Sequence, residues 1–423
     1  MHSGPHPTRR SFLKTTSTAA AGLAAFAVPA VNVLGANETI NVAAIGTGGR
    51  CRTLMQALAK IPHVRIVGVC DIWERNLQEG RKLADPKAYA TGNYQELLDQ
   101  DDIDAVIIGS PDHWHVPMTV DACAAGKDVY VEKPLTHNLA EGRSVIEAQN
   151  YHKRVVQVGM QQRSMPQFKR ACEIVRSGGL GKVHKVHLSW NRNGDVIHGK
   201  WIKPDPAKVD WKAFLGNAPA QPYDAYRYRH WRWFWDFGNG ILADLMVHFI
   251  DVVHWYFELD HPIQAATIGG FCQAKGVWEA PDTVQTILLY PNNLQVYFEG
   301  TFSNARNAAM LEFMGDDGTL YLDRGRYEII AEQNKRSYEE WILGKGPKGL
   351  DFYDKPDGEI VHLSNWLDCI RSRKRPNAPA EAGVSAASAA HLGNIALRAG
   401  QVAYWKDEHR ENEETKIEHR VRK

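Results

Sequence analysis

The sequence predicts an α/β protein in two parts, an N-terminal doubly wound parallel sheet followed by an α+β domain with a large, mostly antiparallel sheet. Three observations predict it. Between Ile40 and Gly159, short β-branched runs alternate with stretches of helical period. A glycine-rich turn, Gly46-Thr47-Gly48-Gly49-Arg50-Cys51, directly follows the first of these runs and opens the first helical stretch. After Gly159 the pattern changes to a succession of alternating strands, as in a sheet with one face on a core.

In order, strands are predicted at 41–46, 64–70, weakly near Ala88, and at 105–109, 128–131 and 155–158. Most are dense in Val and Ile, as strands buried on both faces must be. Helices fill the gaps, among them 50–60 and 116–125, the latter closed by Gly126. In the second part a helix over 165–176 leads into strands at 183–191, 265–273, 283–290, 295–302, 308–314 and 319–322. A helix over 364–373, stopped by Pro376, and a small-residue helix over 382–403 end the folded chain. The boundaries that follow are 1–36 for a leader, 37–160 for the parallel-sheet domain, 161–405 for the second domain and 406–423 for a charged tail. The helices at 364–403 are placed to pack back on the first domain.

The chain of 423 residues is 44% hydrophobic and 23% charged, enough to bury two ordinary cores. Its net charge of +1, with basic residues scattered, argues against a nucleic-acid partner. Six cysteines lie far apart with no paired spacing, which argues against a disulfide or zinc framework. The tryptophans concentrate between Trp190 and Trp278.

The leader is informative. Thr8-Arg9-Arg10-Ser11-Phe12-Leu13-Lys14 precedes the apolar run from Ala19 to Val28 and reads as a twin-arginine export signal. The run is shorter than the roughly 20 residues that span a bilayer. The expected location is therefore periplasmic or otherwise exported, by way of the twin-arginine machinery, with a membrane anchor left if the imperfect site Leu34-Gly35-Ala36 is not cleaved. Such export carries folded proteins, so a cofactor would have to travel inside.

The glycine turn is the context for a dinucleotide. Gly46 and Gly48, with Thr47, Gly49 and Arg50, would let the backbone approach a pyrophosphate at a helix N-terminus. The third position of the pattern is Cys51, so helix and strand are expected to pack more loosely there. Asp71 ends the second strand, where its carboxylate can accept both ribose hydroxyls and repel a 2′-phosphate. That favours NAD, with NADP left open by the nearby Arg75.

Two further pieces follow strands of the same sheet. Ser110-Pro111-Asp112-His113-Trp114-His115 comes after Ile107-Ile108-Gly109, and Glu132-Lys133-Pro134 after Tyr130-Val131. Together with the glycine turn they resemble the glucose–fructose oxidoreductase / inositol dehydrogenase / MocA (Gfo/Idh/MocA) family. The resemblance runs from about residue 40 to 405 and includes the segment from Leu367 to Pro376. It implies a Rossmann domain holding NAD(P), with Ser110, Pro111, His115 and Glu132 beside the dinucleotide and His115 as a structural contact. It also implies oxidation of a CH–OH group in a sugar or cyclitol by a homo-dimer or homo-tetramer. A metal at Asp112, His113 and His115 is not expected, since the helix that begins there offers no further ligands at fixed spacing.

Hydride transfer from a sugar carbon needs a base for the hydroxyl proton and a cation for the developing charge. Lys133 and His248 can meet both needs. Asp244 and His248 lie four apart on a predicted helix, so one face presents both. By resemblance Lys133 polarises or deprotonates the hydroxyl, Asp244 orients substrate and His248 is the acid/base. Gln161 and Arg163 are expected in the interdomain cleft, with Asn191 at the end of a second-domain strand and Trp235 as an aromatic wall for a sugar. Two other readings stand beside oxidation: NAD-dependent glycoside cleavage by transient oxidation, and a non-catalytic sugar-binding protein.

Overall fold

Short strands, the central ones too apolar to face water on either side, build the first sheet. In the computed structural model, which describes residues 38–194, 197, 199–333, 335–342 and 358–406, these are β1 (Ile40–Ile45), β2 (Val64–Cys70), β3 (Tyr89–Thr91), β4 (Ala105–Ile108), β5 (Asp128–Val131) and β6 (Val156–Val158). All pair in parallel in the order β3-β2-β1-β4-β5-β6, and every residue of β4 and β5 is buried. The direction of winding reverses between β1 and β4. Loops leaving the carboxyl ends there diverge and open a crevice. The export leader and the charged tail lie outside the described residues, and no described helix is long and apolar enough to cross a membrane.

The second sheet holds β7 (Val183–Asn191), β8 (Gln264–Gly270), β9 (Thr283–Leu289), β10 (Gln295–Thr301), β11 (Ala309–Gly315), β12 (Gly318–Leu322), β13 (Arg326–Ala331), β14 (Glu339–Ile342) and β15 (Ala403–Tyr404). Their order is β14-β13-β12-β11-β7-β10-β9-β8-β15, antiparallel throughout except for β7 with β10. Burial alternates along β9 and β10, so one face meets the core and the other is open. Strands β13 to β15 were not expected from the sequence. The strand expected over 265–273 stops at Gly270, because the amides of Cys272, Gln273 and Ala274 turn onto the Asp282 carboxylate at 2.6–2.9 Å.

Two C-terminal helices join the sheets. Helix Gly358–Ser372 starts earlier than the sequence suggested, and its Leu363, Trp366 and Leu367 share a core with Ile40, Val42 and Cys51 on one face of the parallel sheet. Helix Ala380–Ala399 explains its own composition: a Cβ on Gly383 would come within 3 Å of Val158 and Leu135, so only a small residue permits that approach. It ends at Gly400, in the left-handed region at φ 62°, short of the expected 403, and the chain then forms β15.

At the glycine turn the expected loose packing is not found. Cys51 occupies the third glycine position fully buried, and Gly109, facing it, is the residue without a side chain; a Cβ there would lie 2.7 Å from that of Cys51. The substitution Gly109→Ala is therefore expected to cost about 1–3 kcal/mol by overpacking. Adding Cys51→Gly should recover much of that loss in denaturant melts, whereas strictly additive losses would show that Cys51 is not the obstacle.

Candidate active site

The glycine turn is shaped to receive a dinucleotide. Gly46 takes a φ of 75° and lies against the next loop, where a Cβ would meet the Ser110 amide nitrogen at 2.7 Å. Gly48 and Gly49 differ: a Cβ on either would meet nothing within 4 Å, so open space lies over the N-terminus of helix Gly49–Leu58. Backbone amides at that end favour phosphate oxygens. Thr47 is buried and donates to the Asn76 carbonyl at 2.9 Å, fixing the turn to helix Glu74–Arg81. Asp71, just past β2, accepts from the Trp73 amide at 2.8 Å. Burial pushes its carboxyl up to about 7 against that bond and those from Asn76 and Thr47. Ser110 Oγ is buried without a hydrogen-bond partner among the described residues. These features fit NAD, which Asp71 and Ser110 would help to hold.

Other residues of the cofactor side hold one another. Pro111 caps helix Asp112–Ala124. His115 lies with Nδ1 2.6 Å from the Pro134 carbonyl and Nε2 2.9 Å from that of Ser110, which ties the loop after β4 to the turn after β5. Arg50 donates to Glu132 at 2.8 Å and also pairs with Glu359, while Gln161, buried, sits between the Gly159 carbonyl and the Arg50 guanidinium. Arg50 is thus a clamp between the glycine turn, β5 and helix Gly358–Ser372. Among the described residues no group of three or more His, Cys, Asp or Glu side chains could hold a metal ion.

The three residues expected to carry chemistry, Lys133, Asp244 and His248, meet at the edge of this recess. Lys133 Nζ donates to the Asp244 carbonyl at 2.7 Å and to its carboxylate at 3.0 Å, and Arg232 Nε reaches the same carboxylate oxygen at 3.1 Å. Burial alone would raise the Asp244 carboxyl, but these two cations outweigh it and hold the group below the usual carboxylate range. His248 stacks on Trp190 with ring centroids 4.9 Å apart, and its Nδ1 is buried without a partner among the described residues. Burial, with Lys133 and Arg324 adding repulsion, depresses its pKa well below that of an ordinary imidazole. The predicted helix is not regular here. A π-helical turn, Leu242–Met246, carries Asp244 and runs straight into the α-helix Val247–Phe257 that carries His248.

Lys133 and His248 line both a recess of about 270 Å³, shared with Ser110, His115, Glu132 and Gln161, and a cleft of about 740 Å³, shared with Asp244, Asn191 and Arg192. They stand where the two cavities meet. Two expected substrate residues do not join them. Arg163 is spent on the buried Asp251, with three contacts of 2.7–2.9 Å on helix Val247–Phe257, and on the Trp255 ring. Trp235 stacks under Arg398 instead, and the aromatic wall of the recess is Trp231 with Trp190. Asn191 does line the cleft, although its amide nitrogen is held by the Arg306 carbonyl at 2.6 Å. The sequence reading missed Arg192, Arg232 and Arg324 as walls. Arg232 lay inside the aromatic segment noted for its rings, and Arg192 between two asparagines already considered; Arg324 carries no local signal.

Comparison with known proteins identifies the family. Residues 40–160 match the model of the Gfo/Idh/MocA oxidoreductase family's NAD-binding Rossmann fold, and residues 212–321 match that family's C-terminal domain. An inositol 2-dehydrogenase of Rubrobacter xylanophilus is 31% identical over 173 residues, 40% of this chain and 49% of that protein. An alpha-N-acetylgalactosaminidase of Shewanella oneidensis is 31% identical over 174 residues, 38% of this chain and 34% of that protein. The chain thus matches about half or less of the length of these curated relatives. The crystal structure of a myo-inositol 2-dehydrogenase from Lactobacillus plantarum shares the fold, with a TM-score of 0.66 at 20% identity, covering 87% of this chain and all of that one. The chain belongs to the Gfo/Idh/MocA oxidoreductase family and carries that family's NAD-binding Rossmann domain.

Proposed function

We propose that the enzyme oxidises a CH–OH group of a sugar or cyclitol, and that Lys133, Asp244 and His248 carry the reaction. The observation behind this is the meeting of an ion-paired lysine, an ionised carboxylate and a neutral imidazole at the mouth of the dinucleotide recess. Bound NAD supplies the hydride acceptor. The residues do the rest. His248, uncharged at neutral pH, takes the proton of the reacting hydroxyl; Lys133 stabilises negative charge developing on that oxygen; Asp244 holds Lys133 in place and accepts a hydroxyl of the substrate.

The proposed setting is outside the cytoplasm, reached through the twin-arginine leader, with NAD kept bound and recycled by a second substrate. A homo-oligomer is proposed on the open face of the large sheet, where Ile268, Ile287 and Ile330 are 80%, 55% and 53% exposed. A second reading, glycoside cleavage through transient oxidation, draws support from the similarity to the alpha-N-acetylgalactosaminidase. Net growth of reduced-nicotinamide absorbance with free sugars supports oxidation; release of an aglycone with no net change supports cleavage.

Native enzyme should carry about one NAD(H) per chain, and its complete absence, with weak binding of added NAD, would remove the retained-cofactor reading. Asp71→Ala should weaken NAD relative to NADP, an effect read from the two dissociation constants. Lys133→Ala and His248→Ala should each lower turnover about 100-fold or more with cofactor still bound. Because both serve one proton transfer, the double variant should lose much less than the product of the single losses; multiplicative losses would place them at separate steps.

The pH profile gives an independent check. Protonation disables His248 as a base, and its pKa in the free enzyme is depressed, so activity should persist as pH falls through the ordinary imidazole value of about 6.5. The acid limb of kcat/KM is expected below that value. A limb at or above it would mean a different base.

A further inference from the structure

The substrate cleft is lined by more cations than a neutral polyol can use. Arg192 leaves the end of β7 and Arg324 follows β12, and both guanidiniums lie against the Trp190 ring, at 5.6 and 4.9 Å from its centroid. Arg232 comes from a third segment, over Trp231 at 4.2 Å. Among the described residues Asp244 is the one carboxylate that lines the cleft, beside Lys133, Arg192, Arg229 and Arg232. Asp244 is shared by Lys133 and Arg232; Glu132 and Glu359 are engaged by Arg50; and burial drives Asp112 well above the carboxylate range, toward its neutral form. Arg192 in particular makes no side-chain hydrogen bond or ion pair among the described residues, while lining both the recess and the cleft.

Gathering guanidiniums in one partly enclosed cleft raises their mutual repulsion, which an incoming anion would relieve. We propose that the substrate is an acidic sugar, whose carboxylate or phosphate is bound by Arg192, with Arg229 and Arg232 adding positive field. Planar guanidinium groups suit either anion through paired N–H donors. The inference rests on the oxidoreductase reading of this same site. It places the anionic group at Arg192 and the reacting hydroxyl toward Lys133 and His248, all three of which line the same cleft. Substrate charge then becomes the basis of selection, since a neutral sugar brings no counter-ion to Arg192.

The test uses enzyme loaded with NAD and follows reduced-nicotinamide absorbance. The panel contains neutral hexoses and inositol, the corresponding hexuronic acids, and hexose phosphates. Acidic members are expected to show kcat/KM about tenfold to 100-fold above their neutral parents, mostly through KM, with KM rising as salt is added. Response to the uronic acids alone assigns a carboxylate, and to the phosphates alone a phosphate. Arg192→Gln should raise KM for the acidic substrate more than for its neutral parent and narrow the ratio between them; Arg192→Lys should restore part of it. The salt dependence of the unmodified enzyme stands even if a variant fails to fold. Neutral sugars oxidised as well as acidic ones, with no salt effect, would overturn this inference and leave the proposed function intact. No response from either class would overturn the proposed function itself.

Discussion

The ion pair between Lys133 and Asp244 is the interaction on which the site depends. It links the turn after β5, which borders the cofactor recess, to the π-helical turn that begins the substrate helix. A buried pair of this kind usually returns little net stability, because desolvating two charges offsets their attraction. Here the pair is reinforced by the Asp244 carbonyl, which also accepts from Lys133, and by Arg232 on the same carboxylate. Its contribution is position: it fixes one ammonium at the border of the recess and the cleft.

Around it the two domains are held rigid by interactions with no part in the chemistry. Arg50 closes the recess by gripping Glu132 and Glu359, and His115 joins the loops after β4 and β5. On the far side of the substrate helix, Arg163 and Asp251 form a bidentate pair with Asp251 fully buried. That pair anchors the helix carrying His248 to the segment after β6. The small-residue helix Ala380–Ala399 completes the frame by letting Gly383 sit against Leu135 and Val158.

Trp190 gives the pocket its character. One face of the indole supports the imidazole of His248, and two guanidiniums also lie over the ring. Cations against a π-system are partly compensated by its quadrupole, which lets positive charge gather beside a histidine that must stay neutral. Of the two guanidiniums, Arg324 adds to the burial that depresses the His248 pKa. Base strength and anion affinity are therefore coupled, and a substrate anion that offsets the guanidiniums would ease proton acceptance by the imidazole.

Much of this was legible in the chain. A residue just past the carboxyl end of a parallel strand has little choice of place, which is why Gly46, Asp71, Ser110 and Lys133 fall where their positions implied. The sequence could also place Asp244 and His248 near each other, since four residues along any helix are neighbours. It could not say which way a long side chain turns. Arg163 leaves a segment at the cleft but is captured by a carboxylate 88 residues away, and Trp235 turns to Arg398. Nor could it assemble Trp190, Arg192, Arg232 and Arg324 into one wall, because strand order brings β7 and the end of β12 together across more than a hundred residues of intervening chain. Local sequence determined the turns and the groups that follow strands; the tertiary structure decided the charge of the pocket, because charge is a sum over segments that only folding brings within a few ångströms.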